Sequence, residues 1–140
     1  AINTPAILQR SGVGDPALLD PLGIPVVINS FHVGKNLINQ YGADGILQNV
    51  TADTSVGFIN GSPFFPNDAT RRIQLIPQFF GPTTTGVLGF NLAPRSRGSV
   101  EIVDTNPFIE PKVNLNLYTD VGGYDASVIV AFYKLLQTSC

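Results

Sequence analysis

The chain has 140 residues and a formal net charge of −2, with one cysteine and one histidine. This length can bury the core of a single domain. The near-neutral charge gives no electrostatic case for nucleic acid or an anionic membrane as a partner. One cysteine excludes an internal disulfide, and one Cys with one His excludes zinc-finger spacing, so we predict no metal site.

Charge is sparse in this sequence. Charged residues make up 13% of the chain and the mean hydropathy is +0.20, whereas typical soluble domains carry roughly 25% charged residues. Two interpretations stay open: part of the surface is covered by other protein, or the surface is uncharged and rich in Asn and Thr. No apolar run approaches the roughly 18 residues of a membrane span, and nothing in the sequence fixes the compartment.

The first segment is predicted to be a short helix. Asn3 or Thr4 can cap its N-terminus, Pro5 suits the first turn, and Gly12 suits the left-handed position that ends a helix. A second short helix is predicted over 15–23.

Asp15 would cap this second helix and Gly23 would end it. The β-branched residues of 24–29 then predict a strand. A further strand is predicted over 42–50, and Gly, Pro and Asn make 51–71 loop-like. The aromatic side chains of this loop would either mark a binding surface or anchor the loop on the core, and the residues alone favour the anchor.

Strands dominate the second half. They are predicted over 71–80, with Pro77 turning its far end into an edge or bulge, within 83–92 after a turn, and over 99–103 and 111–117. In the last of these, Val113, Leu115 and Leu117 would line one face. A helix is predicted over 124–137, with Asp125 as its cap and Val128, Phe132 and Leu135 on one face.

Three motifs, in order, resemble the glucose–methanol–choline (GMC) family of flavin oxidoreductases. Its second signature matches Ala1, Thr4-Pro5, Ile7-Leu8 and Ser11-Gly12-Val13-Gly14. The glycine that opens this signature would precede residue 1, so we expect the chain to be a piece of a longer protein.

The second motif, Val-Gly-x-Asn-Leu-x-Asp-His in the family, matches at Val33, Gly34, Asn36 and Leu37. Asn39-Gln40 replaces the Asp-His pair, which puts in doubt any role that the Asp or His carries in other members. The third motif comprises Pro94-Arg95-Ser96-Arg97-Gly98-Ser99-Val100 and the Pro-containing strand that follows it.

The resemblance implies an α+β fold, in which an antiparallel sheet with flanking short helices forms the substrate-binding part of a larger two-domain flavoprotein. Residues 1–42 would lead out of the flavin domain as helix, turn, helix and strand. Residues 43–140 would form the substrate-binding sheet and a closing helix. The flavin-binding glycines and the catalytic His would lie elsewhere in the parent, so we predict no catalytic residue here.

The implied function is a segment of an FAD-dependent oxidoreductase that acts on CH–OH groups. Its partners would be the rest of the parent flavoprotein and a small-molecule alcohol, and the resemblance allows a homo-oligomer. Thr4 and Pro5 would lie near the FAD cofactor, and Phe64, Phe65, Phe79 and Phe80 would line the substrate pocket. A GMC-like structural or assembly protein, such as a virion surface component, is the alternative, and a flavin-keeping lyase is a third interpretation.

Overall fold

The structure, a computed structural model, describes residues 1–48, 57–60, 72–81 and 84–138. The predicted α+β class is confirmed, since short helices accompany antiparallel strands. The elements in chain order are α1 (Asn3–Arg10), β1 (Val13–Gly14), α2 (Pro16–Leu19), a 3-10 helix (Asp20–Leu22), β2 (Ile28–Asn29), β3 (Gly42–Gln48), β4 (Gly57–Asn60), β5 (Arg72–Gly81), β6 (Thr84–Asn91), β7 (Ser99–Glu101), β8 (Lys112–Asn114) and α3 (Tyr124–Thr138).

Two compact units make up the chain. Unit 1 comprises Ala1–Asn39 and Ser96–Thr119, and unit 2 comprises Gln40–Arg95 and Asp120–Cys140. Each unit is therefore built from two separate segments, and neither coincides with the predicted segments 1–42 and 43–140. The assignment of those segments to a flavin-binding and a substrate-binding part stays a prediction.

The helices of unit 1 end where glycine allows a positive φ. Gly12 has φ +83° and Gly23 has φ +68°, both in the left-handed region that glycine adopts without strain. The carboxylate of Asp15 caps α2 by accepting a hydrogen bond from the Ala17 amide at 2.9 Å. These three predictions are confirmed.

The predicted capping of α1 by Asn3 or Thr4 is wrong. Both residues lie inside the helix, and the capping position belongs to Ile2, which makes no side-chain capping bond. Pro5 does not fix the first residue of the helix. The amides of the whole first turn have no partner within the helix, so the missing donor of proline is tolerated at any of these positions.

The predicted strand 24–29 is shorter in the structure, where only Ile28–Asn29 forms β2 and Ile24 is buried in the core of unit 1. That core consists of Ala6, Leu19, Ile24 and Ile102. The carbonyl of Gly12 accepts from the amides of Val27 at 2.8 Å and Ile28 at 3.1 Å, and β2 then pairs in parallel with β1.

The predicted strand 111–117 is also shorter than expected. Only Lys112–Asn114 pairs, antiparallel with β7, and Val113 and Leu115 are 38% and 40% exposed rather than buried. The side chain of Asn114 accepts from the Asn116 amide at 3.0 Å, and Asn116 has φ +50°. This local turn replaces the sheet hydrogen bonds that a longer strand would need.

Unit 2 is an antiparallel sheet in the order β3-β6-β5-β4, with α3 packed against β3 and β6. Its core consists of Ile73, Val87, Tyr124, Val128 and Phe132. The prediction of a loop over 51–71 is wrong at β4, which pairs with 72–75 of β5. The Gly- and Asn-rich composition of this segment predicts a loop. The strand forms because β4 pairs with a distant partner, which local composition does not reveal.

Strand β5 confirms the expected effect of Pro77. Among the described residues, β4 pairs only with Arg72–Leu75 of β5, and Pro77 pairs with Val87 of β6 alone. The register with β6 then shifts between Phe79 and Gly81. Proline removes one ladder donor and is tolerated at such edges and bulges.

The N-terminus of α3 is capped by Asp120 and not, as predicted, by Asp125. Asp120 accepts from the amides of Tyr124 at 2.7 Å and Asp125 at 3.2 Å. Asp125 is fully buried in the first turn, where its carboxylate accepts from the Arg95 amide at 2.8 Å and from the Asn91 side chain at 3.3 Å.

Replacing Asp120 with alanine is therefore expected to lower the free energy of unfolding by about 1 kcal/mol, the usual cost of losing a helix cap. Asp20→Ala is the matched control, because Asp20 is exposed and its carboxylate makes no hydrogen bond within the described residues. Melting temperatures of the full-length protein and both variants check this. Equal melting of the two variants would contradict the capping assignment.

Candidate functional site

An open cleft of about 490 Å³ lies in unit 1 between α1 and the turn that precedes Asn39. This volume falls within the range of small-molecule sites, about 300–1,000 Å³. One wall is a face of the first segment (Ala1, Thr4, Pro5, Leu8), and the other is Val33–Ile38 with Val100. Because helix residues three and four apart share a face, the first motif presents one continuous side to the cleft.

The second wall is held by backbone hydrogen bonds. The Gly34 carbonyl accepts from the Val100 amide at 2.7 Å, and Leu37 and Gly98 exchange two bonds at 3.0 and 2.8 Å. Gly34 has φ +82°, and a Cβ there would collide with the Val100 carbonyl and the Gln9 side chain. Glycine is therefore required at this position for both its conformation and its close approach.

The Gln9 side chain connects the two walls of the cleft through the interior of unit 1. It is fully buried, and its Nε2 donates to the carbonyls of Val100 at 3.0 Å and Val33 at 3.3 Å. Its Oε1 accepts from the Ile102 amide at 3.0 Å. A buried amide with donors and acceptor all engaged fixes the spacing of helix, turn and strand.

Sequence reasoning missed Gln9, although a signal was present. Gln9 follows the buried Ala6 by three residues, so it occupies a core position of the helical period. A long polar side chain at such a position must find buried backbone partners, and these lie 24 to 93 residues away in the chain.

Three polar side chains line the cleft: Thr4, Lys35 and Asn36. Lys35 forms an ion pair with Glu101 of β7. Asn36 has φ +60°, an uncommon conformation for a residue other than glycine. The cleft thus combines apolar walls with a hydroxyl, an amide and a paired ammonium group.

The predicted site residues fall in different places. Thr4 and Pro5 both line the cleft, whereas Phe64 and Phe65 lie outside the described residues. Phe79 and Phe80 belong to β5 in unit 2, where the backbone alone is described. The predicted role of these four phenylalanines therefore stays a prediction.

Both residues that replace Asp-His of the second motif, Asn39 and Gln40, lie within the described part of the chain. Gln40 is exposed, and its Nε2 approaches the Leu92 carbonyl at 3.5 Å. Across the part of the chain that the structure describes, no group of His, Cys, Asp and Glu could hold a metal ion, and no helix combines the length and apolar character that crossing a bilayer requires.

Comparisons with known proteins agree with the three motifs. A protein of Acanthamoeba polyphaga mimivirus, named as a GMC-type oxidoreductase, is 31% identical over 127 residues, which cover 86% of this chain and 23% of that protein. The 5-(hydroxymethyl)furfural oxidase of Methylovorus sp. is 32% identical over 136 residues, covering 86% of this chain and 25% of the oxidase. No protein-family model matches the chain.

The fold is similar to that of a solved oxidase. Pyridoxine 4-oxidase from Mesorbium loti superimposes with a TM-score of 0.71 at 17% identity, over 99% of this chain and 30% of that structure. The chain spans about a quarter of the length of the two curated relatives above. The motifs, the sequence relatives and the fold together assign this chain to the GMC oxidoreductase family.

Proposed function

We propose that the whole protein is an FAD-dependent oxidoreductase that oxidises CH–OH groups, and that this chain supplies part of its cofactor and substrate surroundings. The observation that carries the proposal is the cleft of unit 1. Its two walls are the first and second family motifs, which lie about 30 residues apart in sequence and face each other across one cavity.

The residues of the cleft fit part of a flavin nucleotide. Apolar side chains such as Pro5, Leu8 and Leu37 suit a flat heteroaromatic or ribityl surface, and Thr4 and Asn36 offer hydrogen-bonding groups to its polar edge. When bound, FAD supplies the acceptor for the hydride that leaves the alcohol carbon. Thr4 and Pro5 would orient the cofactor, and the clamped turn over 33–38 would exclude water from one side of it.

Substrate contacts are assigned to unit 2. Phe79 and Phe80 on β5, with Phe64 and Phe65 before it, would form an apolar wall for a small alcohol. The base that takes the hydroxyl proton would come from another part of the parent protein. This chain then binds and positions, and it carries no proton-transfer step of its own.

The first test is an absorbance spectrum and an intact mass of the full-length protein, followed by an oxidation assay. 5-(Hydroxymethyl)furfural is a suitable first alcohol, because an oxidase for it is similar to this chain. Flavin absorbance bands with turnover of an alcohol would support the proposal. A colourless, folded protein of full length would overturn it.

Substitution of Thr4 by leucine is expected to weaken FAD binding about tenfold, because overfilling a fitted site costs about 1–3 kcal/mol. Asn3→Leu is the matched control: both residues are exposed in the first turn of α1, but Asn3 does not line the cleft. Flavin content after dialysis and a fluorescence titration with FAD measure the effect. Equal affinity in both variants would count against a cofactor role for this cleft.

The alternative is a GMC-like scaffold that works in assembly with little or no catalysis. The observation that supports this alternative is the Asn39-Gln40 pair in place of Asp-His, which removes two titratable side chains. Light scattering and electron microscopy of the purified protein separate the two. Regular self-assembly without alcohol turnover would favour the scaffold, and flavin-dependent turnover by a discrete particle would favour the enzyme.

A further inference from the structure

A second cavity of unit 1, of about 330 Å³, is lined by polar residues and one glycine. It lies between the turn at Lys35 and the β7–β8 pair. Its side chains are two cations and four neutral polar groups: Lys35, Asn36, Arg97, Ser99, Asn114 and Asn116. No acidic side chain lines it, although the chain has ten acidic residues and only eight basic ones. We call it the polar cavity.

Several hydrogen-bonding groups of the polar cavity have no partner within the described residues. The Oδ1 of Asn114 accepts a hydrogen bond from the Asn116 amide. The NH2 group of Asn114 therefore remains available to donate to a ligand. The Ser99 hydroxyl and the Asn36 carboxamide make no hydrogen bond within the described residues. Amide and hydroxyl groups of this kind can donate hydrogen bonds to an anion.

The wall of the polar cavity carries two cationic side chains and no acidic one. Lys35 is balanced by Glu101, which does not line the cavity. Arg97 adds a permanent positive charge, and its Nη1 donates to the Ser96 carbonyl at 3.0 Å. An oxyanion placed here would meet cationic and amide donors without an acidic neighbour on the wall, and such charge-assisted hydrogen bonds are about twice as strong as neutral ones.

The walls of the polar cavity are held in place before any ligand arrives. Gly98 exchanges two hydrogen bonds with Leu37, and the Asn116 side chain donates to the Arg97 carbonyl at 2.9 Å. A Cβ on Gly98 would collide with the Asn114 carbonyl, so glycine lets the two strands approach closely. A site that is already ordered loses less entropy on binding.

We propose that the polar cavity binds a phosphate-type oxyanion. The inference does not depend on the proposed oxidoreductase activity. The shared ligand chemistry has two sources, a phosphate group of a bound dinucleotide cofactor or free phosphate from solution. The cavity and the cleft share Lys35 and Asn36 as lining residues, so the two sites are neighbours.

The test uses Asn114→Asp in the full-length protein as purified. The substitution keeps the oxygen that accepts from the Asn116 amide and replaces the free NH2 donor with a negative oxygen. Calorimetric titration with inorganic phosphate at constant ionic strength is expected to show binding that weakens about tenfold or more, because a hydrogen bond to a charged group is lost and a like charge is added.

Asn106→Asp is the matched control. The Asn106 side chain likewise accepts from a backbone amide two residues on, that of Phe108, at 3.0 Å, and Asn106 does not line the polar cavity. It adds the same charge elsewhere and is expected to leave the phosphate affinity unchanged within about twofold. Equal weakening by both substitutions would overturn the proposal, because it would reflect net charge and not the site.

The source of the oxyanion follows from a second readout. If the wild-type protein binds added phosphate and Asn114→Asp does not, the ligand is free phosphate. If the wild-type protein binds no added phosphate but Asn114→Asp retains less FAD than Asn106→Asp, the ligand is a cofactor phosphate. If neither phosphate binding nor FAD retention distinguishes the two variants, the proposal is overturned, including when the protein holds no flavin.

Discussion

Replacing Gln9 with leucine is expected to lower the free energy of unfolding by about 3–5 kcal/mol. The change leaves two carbonyls and one amide without their partner in the interior of unit 1, and each unsatisfied buried group costs about 1–3 kcal/mol. The Ile102 amide donates directly to Gln9, so its hydrogen-exchange rate should rise in parallel. Thermal melting and hydrogen exchange of the full-length protein measure both effects.

Gln40→Leu is the control for this experiment. Gln40 is exposed and has only a 3.5 Å contact to the Leu92 carbonyl, so its loss should change stability by no more than about 0.5 kcal/mol. Gln9→Glu extends the test, because it keeps an acceptor for Ile102 and turns the donor to Val100 into a repelling oxygen. Wild-type melting and unchanged Ile102 protection in Gln9→Leu would contradict the bridging role of Gln9.

Replacing Phe132 with alanine is expected to cost about 3–5 kcal/mol, the usual range for a phenylalanine removed from a core. Phe132 is fully buried in α3 and packs with Ile73, Val87 and Val128 in the core of unit 2. Val130→Ala is the control on the same helix, because Val130 is 51% exposed. Denaturant melts of the full-length protein compare the two variants, and equal losses would contradict the placement of this helix face.

The contact of Phe132 with Gly89 makes a sharper version of this test. A Cβ on Gly89 would collide with the Phe132 ring, and β6 is paired on both sides, which prevents an easy backbone shift. Gly89→Ala should therefore destabilise strongly in the wild type and much less in the Phe132→Leu background. A coupling energy of about 0.5–3 kcal/mol is expected for such contacting residues, and strict additivity would contradict the contact.

Local signals in the sequence predicted the parts of the fold that local chemistry controls. Gly12, Gly23 and Asp15 act through their own backbone or through residues two or three positions away, so their roles can be read without knowledge of the fold. Pro77 belongs to the same class, since its missing donor restricts where the strand can pair.

Features set by distant partners could not be predicted in this way. The strand β4 exists because β5 pairs with it, and β8 extends only over the three residues that pair with β7. The position of Asp125 in the sequence predicts a helix cap, but Asp120 caps the helix. The Asp125 carboxylate instead accepts hydrogen bonds from residues 30 and 34 positions earlier in the chain. The role of Gln9 at the candidate site could not be predicted for the same reason, because its hydrogen-bond partners lie 24 to 93 residues away in the chain.

Thr4 and Pro5 came from the resemblance alone, and the structure adds that both line a cleft with the second motif. Composition and periodicity could not bring these segments together, because the turn over 33–38 is fixed by β7 and Gly98, about 60 residues later in the chain.

The interleaving of the two units has a consequence for synthesis on the ribosome. All of Gln40–Arg95 is made between the two segments of unit 1, and Gln9 must wait for Ile102, 93 residues later, to gain its last partner. At about 5–20 residues per second, this delay is roughly 5–20 s. During that time the apolar side chains of residues 3–10 lack the core partner that Ile102 later supplies.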